Sequence, residues 1–223
     1  MRIRPLNDLQ DKIRSRLRAI DKSLPQEVLN VKPSPTPIDS LIVLGNGRED
    51  DVVVALVCHH LNGDKTVAIA KPKSTRYGAI GELKVYFKDI KYKIVTLILD
   101  QEDDELPMLN TEVRKKLREI GIECREGKQI ADRVLSYDCN LGGHTFELVV
   151  VVNGLDGVGG PNHKIEDHLV KLAGVAGEGD SKEVWNKLDE GTRRDVYRKI
   201  LNDRKDAEGV FAQHFAGLGL LDC

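Results

Sequence analysis

The chain lacks any apolar run approaching the roughly 18 residues that a membrane-crossing helix needs. Its start, Met1-Arg2-Ile3-Arg4-Pro5, has no apolar core of the signal-peptide kind. The expectation is a cytoplasmic protein with no membrane partner. An excess of charge of one sign is also missing: 34 Lys and Arg stand against 36 Asp and Glu, a formal net charge of −2. This argues against a surface that embraces nucleic acid as a whole, although a local basic patch is still allowed. Cysteine is sparse. Cys58, Cys124, Cys139 and Cys223 form no CxxC pair and no His/Cys cluster at zinc spacing, so reduced thiols are expected. Aromatic residues make up 4% and charged residues 31%, a balance of a globular chain that also suits a thermophile. With 40% hydrophobic residues over 223 positions, the chain can bury a sizeable core as one large domain or as a core with an appendage.

Along the chain, Leu6, Leu9, Ile13, Leu17 and Ile20 recur at helical spacing. Residues 1–22 hold seven basic side chains against three acidic ones, which allows a nucleic-acid contact but more simply gives a solvated helix face. Pro33, Pro35 and Pro37 then exclude helix and central strand, giving an N-terminal segment, 1–37, of helix and linker. The α/β core, 38–175, is expected to contain strands at 40–44, 66–70, 92–99, 131–137 and 146–152. Helices are expected at 50–61, 109–120 and 164–172, a hairpin turn at 140–143, and residues 84–87 are open between strand and helix. Residues 176–223 read as a helical appendage, with helices at 181–188, 192–202 and 207–215. The fold class is therefore α/β: a mostly parallel mixed sheet flanked by helices.

Two strands run straight into acidic residues. The first gives Gly45-Asn46-Gly47-Arg48-Glu49-Asp50, and the second ends Leu99-Asp100-Gln101-Glu102. Carboxylates at the carboxyl ends of neighbouring parallel strands suit a divalent-metal or phosphate site. The pair resembles the Toprim domain of topoisomerases, primases and related nucleases, whose pattern is Glu-Gly-x-x-Asp after one strand and Asp-x-Asp after a later one. More narrowly, it is similar to small archaeal Toprim-like proteins of unassigned function. The resemblance spans about residues 38–172 and implies a Toprim-like core. By the same resemblance Asp100 and Glu102 would hold magnesium, with Asp50 assisting, beside nucleic-acid or nucleotide phosphates. Asn46 falls where the family has its acid/base glutamate. An amide cannot exchange a proton near neutral pH, so the expectation is weak or absent phosphotransfer unless Glu49 takes the role. A non-catalytic interaction module that keeps only the fold is the alternative.

Other features are less specific. Gly154, Gly157, Gly159 and Gly160 precede a helix and could offer N–H groups to a phosphate, or form a plain connection that brings Glu166 and Asp167 near the acids; neither Walker A nor GxGxxG spacing is met. Lys71, Lys73 and Arg76, with Gly47, are candidate phosphate contacts on the rim of the same strands, or plain surface. His59 and His60 read as surface residues, and His163 has no second ligand at zinc spacing. No GxSxG nucleophile elbow occurs.

Overall fold

The computed structural model describes residues 1–6, 9–30, 37–61, 65–175 and 179–222; most of the Pro-rich linker therefore lies outside the described residues. The strands are β1 (Arg2–Pro5), β2 (Ser40–Leu44), β3 (Thr66–Ala70), β4 (Ile94–Asp100), β5 (Glu123–Cys124), β6 (Lys128–Ala131), β7 (Val134–Leu141) and β8 (His144–Asn153). They form one sheet in the order β1-β3-β2-β4-β8-β7-β5, with β6 also on β7. Strands β1, β3, β2, β4 and β8 are parallel; β7 turns back along β8, and β5 and β6 run antiparallel to β7. The expected mixed, mostly parallel sheet is what forms. Strand β1 extends it beyond expectation: a four-residue edge strand alternating Arg2 and Arg4 with buried Ile3 and Pro5 leaves little signal in sequence.

Because successive strand residues point to opposite faces, the same strands feed two cores. Ile42, Leu44, Ile69, Ile98, Val149 and Val151 face one way. There they meet α1 (Leu9–Ile20), α2 (Leu24–Val28), α3 (Asp50–His60), α7 (Ile165–Ala173), α8 (Ser181–Lys187), α9 (Glu190–Asn202), α10 (Arg204–Val210) and α11 (Ala212–Gly219). Leu41, Val43, Leu97, Leu99, Leu148, Val150 and Val152 face α4 (Tyr77–Gly81), α5 (Leu83–Tyr86) and α6 (Leu106–Glu119). Helix α3 is apolar all round, Val52 through Cys58, because α1, α2, α9 and α11 cover the side that the sheet leaves open.

Several expectations need adjusting. Residues 84–87 are the end of a helix, not a strand. The predicted helix at 207–215 is two helices broken at Phe211, and the first amphipathic segment is α1 followed by α2. The β7–β8 turn is as expected, with Gly142 and Gly143 at φ 58° and 87°, the left-handed pair that a two-residue hairpin needs. The expectation of reduced thiols is wrong for two cysteines: Cys124 and Cys139 are cross-strand neighbours of β5 and β7, joined by a disulfide. Their separation of 15 residues has no motif, so only the strand pairing reveals it. Cys58 is buried inside α3. Among the described residues no helix is long and apolar enough to cross a membrane.

Candidate functional site

Neighbouring strands β2 and β4 send their chains to opposite faces, β2 into α3 and β4 into α6. Their carboxyl ends therefore open a crevice, the place where α/β sheets bind ligands. The pleat decides what enters it. Ile98 faces the α3 side, so Asp100 does as well; Val151 faces that side, so Asn153, paired in register with Asp100, follows. Asp50 joins them from the first turn of α3, and Glu166 from the first turn of α7.

Asn153 binds the group together. Its fully buried amide donates from Nδ2 to Asp50 Oδ1 and to Asp100 Oδ1, both at 2.8 Å. Its Oδ1 accepts from Nε2 of His214, 2.8 Å away on α11. Helix α11 reaches this close because residue 217 is glycine; a Cβ there would collide with Val151. Behind it, His168 Nε2 accepts from the Gly154 N–H at 3.2 Å and from Gln213 Nε2 at 3.0 Å. That leaves Nδ1 to carry the proton and donate to the Val210 carbonyl at 2.6 Å. Both imidazoles are completely buried and neutral. Desolvation pushes His168 down to about 3, and His214 well below its usual value.

The carboxylates shift the other way. Burial raises Asp50 well above the usual range and the Asp100 charge adds to it; Asn153 opposes both. Asp100 is raised to about 7, by burial first and then by Glu166 against the Asn153 hydrogen bond. Burial also raises Glu166. Among the described residues Asp50 Oδ2 is buried without a hydrogen-bond partner, as is His214 Nδ1. The crevice thus holds closely spaced acids that burial and mutual repulsion push toward the protonated form.

The other expected residues scatter around this group. Asn46 is buried, but its amide turns to the β4 backbone and donates to the Ile98 carbonyl at 3.3 Å. Glu49 is half-buried and accepts from the Tyr197 hydroxyl. Glu102 turns outward to pair with Arg76 at 2.9 Å. Arg76 is also spent on Asp104 at 2.6 Å and on the Gln101 carbonyl at 3.0 Å. Lys71 bonds the Gly47 carbonyl and lies 3.9 Å from Asp51, while Lys73 is exposed. Around this rim lie the described non-glycine residues of positive φ: Arg76 (53°), Glu102 (54°) and Arg133 (58°), the last bonded to Gln101 and Asp156. Holding each left-handed costs about 1 kcal/mol or more.

The glycine-rich loop keeps little for a phosphate at its start. Gly154 N–H goes to His168 and Leu155 N–H to Asp167 Oδ2 at 3.2 Å, the latter oxygen also meeting His163 Nδ1 at 2.9 Å. Asn153, His168, Gln213 and His214 were not legible as site residues. Each lies in an apolar-periodic segment where a polar residue reads as an ordinary core position. No protein family, curated protein or solved structure matches the chain.

Proposed function

We propose that the chain is a Toprim-like protein with a degenerate acidic site, in which Asp50 and Asp100 bind magnesium and thereby nucleic-acid or nucleotide phosphates. The observation that carries this reading is the convergence of both carboxylates on the Asn153 amide, with Asp50 Oδ2 left buried and unbonded. The donor set fits the ion: magnesium takes hard oxygens, usually one or two carboxylates, and completes its shell with water and phosphate oxygens. Among the described residues no group of three His, Cys, Asp or Glu side chains is placed to hold a metal ion, so water and phosphate oxygens would have to supply the rest of the shell. Glu102 would join only by exchanging Arg76 for the ion. Bound magnesium would polarise a phosphate oxygen. Asn46 supplies no proton transfer, and such transfer is typically worth about 10²- to 10⁴-fold in rate. The site accordingly binds more than it cleaves.

The test is a magnesium titration by calorimetry and melting temperature, alongside cleavage of labelled DNA and RNA. Magnesium should raise the melting temperature of the natural chain, Asp100→Asn should abolish the rise, and Asn46→Glu should strengthen binding. Magnesium affinity indifferent to Asp100→Asn would sink the metal role. One observation favours the second reading, an interaction module without chemistry: acids with raised pKa can share protons in place of a cation. That reading requires no response to magnesium at all.

A further inference from the structure

A pocket of about 320 Å³ lies between α1, the head of α3 and α9. Four arginines line it from three separate segments: Arg16, Arg48, and Arg193 with Arg194. Among the described residues its acidic lining is Glu49 and Glu190. Arg16 is already committed to Asp51 and to the Arg48 carbonyl. The guanidinium groups of Arg48, Arg193 and Arg194 enter no ion pair among the described residues. The floor is apolar, formed by buried Ile20 and Val52.

Unpaired guanidiniums brought together from distant parts of a chain repel one another, and an anion seated among them removes that cost. Arginine's planar fork matches phosphate oxygens two at a time. Three guanidiniums without an ion-pair partner among the described residues can surround a terminal phosphate, which offers three non-bridging oxygens where an internal phosphodiester offers two. A volume near the lower end of ligand sites, about 300 Å³, suits one phosphate and its sugar.

We infer that this pocket binds a phosphate monoester, either that of a nucleotide or the 5′-phosphate at the end of a nucleic-acid strand. The inference goes beyond the metal site and needs no metal. Glu49 links the two places physically, since it lines the pocket while its charge raises Glu166. A terminal phosphate held here would lie beside the acidic crevice.

The experiment is calorimetric titration of the full chain, in EDTA, with AMP, adenosine, and short single strands bearing either a 5′-phosphate or a 5′-hydroxyl. Binding of AMP or the phosphorylated strand, with adenosine and the hydroxyl strand much weaker, is expected; which of the two binds identifies the source of the phosphate. Arg193→Gln with Arg194→Gln, and separately Arg48→Gln, should each weaken binding by about tenfold or more, as loss of charged hydrogen bonds does. These side chains lie at the surface, and an unchanged melting temperature without ligand verifies folding. Lys115→Gln, on α6 across the sheet, should leave AMP affinity intact. Failure of every phosphate probe, equal binding of both strands, or indifference to the arginine variants would each overturn the inference. Because the assay excludes metal, its outcome is separate from the magnesium response.

Discussion

On the face covered by α4, α5 and α6, the sheet buries Leu41, Val43, Val95, Leu97, Leu99, Leu148, Val150 and Val152 against Ile80, Leu83, Leu109, Val113 and Leu117. The polar tip of Tyr137 there reaches Asn110 and is satisfied. On the opposite face, strands with the same apolar pattern end in Asp100 and Asn153, and the covering helices bring Asp50, Glu166, His168 and His214 into the interior. Among the described residues the buried atoms without a hydrogen-bond partner are, apart from Arg76 Nε at the head of α4, on the second side: Asp50 and His214 in the acidic group, and Thr96, Asp167, Ser181 and Trp185 elsewhere. An unsatisfied buried polar group costs about 1–3 kcal/mol, so a chain selected for stability alone would have two faces of the first kind. The proposed site lies on the less satisfied face.

The contrast can be broken first on the apolar side. Leu97→Ala should cost about 2–5 kcal/mol by urea unfolding, as deletion of a fully buried leucine does, and should leave the melting-temperature response to magnesium unchanged. If that response disappears, the faces are not independent. Next, Asn153→Ala removes the donor shared by two acids and should cost about 1–3 kcal/mol. It should also raise the titration of Asp100 above about 7, because the Asn153 hydrogen bond is what holds it down. Carboxyl carbon NMR reads that shift directly, and an Asp100 that titrates lower would contradict the proposed clamp.

Two further effects concern pH. His168 titrates at about 3 in the fold against its usual 6.5, so the unfolded chain takes up protons that the folded chain refuses. Its contribution to stability is present above about pH 6.5 and fades as pH falls through about 3. Asp100, raised from 3.8 to about 7, acts in the opposite sense: its contribution is present below pH 3.8 and is lost as pH rises through 7. The groups around His168 are the Gly154 N–H, Gln213, the Val210 carbonyl and the His214 ring. His168→Gln should make the acidic limb of a stability–pH curve shallower, with His214 still contributing to it, and leave the limb near neutrality in place. Asp100→Asn should make only the latter shallower, since Asp50 and Glu166 are raised as well.

Much of the architecture was legible because it rests on period and punctuation. The apolar strands β2, β3, β4 and β8, the helices α3, α6 and α7, and the Gly142–Gly143 turn follow from alternation, from helical spacing and from glycine's access to positive φ. Strands β1, β5 and β6 were not legible, since they are short, polar and stabilised by a neighbour rather than by their own pattern. In the site, a strand that ends in Asp100 could be read directly, as could an acid opening α3 at Asp50. That Asn153 would link them could not, because the link depends on the parallel register of β4 and β8. The outward turn of Glu102 was equally hidden: it follows from a left-handed backbone and a pairing with Arg76.

The His214–Asn153 hydrogen bond has a consequence for biosynthesis. A chain leaves the ribosome from its amino end, and the contacts that close the acidic group span 103 residues between Asp50 and Asn153 and 61 more to His214. Until α11 has been translated and docked, Asn153 lacks its acceptor's partner and Val151 its cover. The crevice is therefore among the last parts of the molecule to become complete, and a nascent or truncated chain carries both acids without the hydrogen bonds that arrange them.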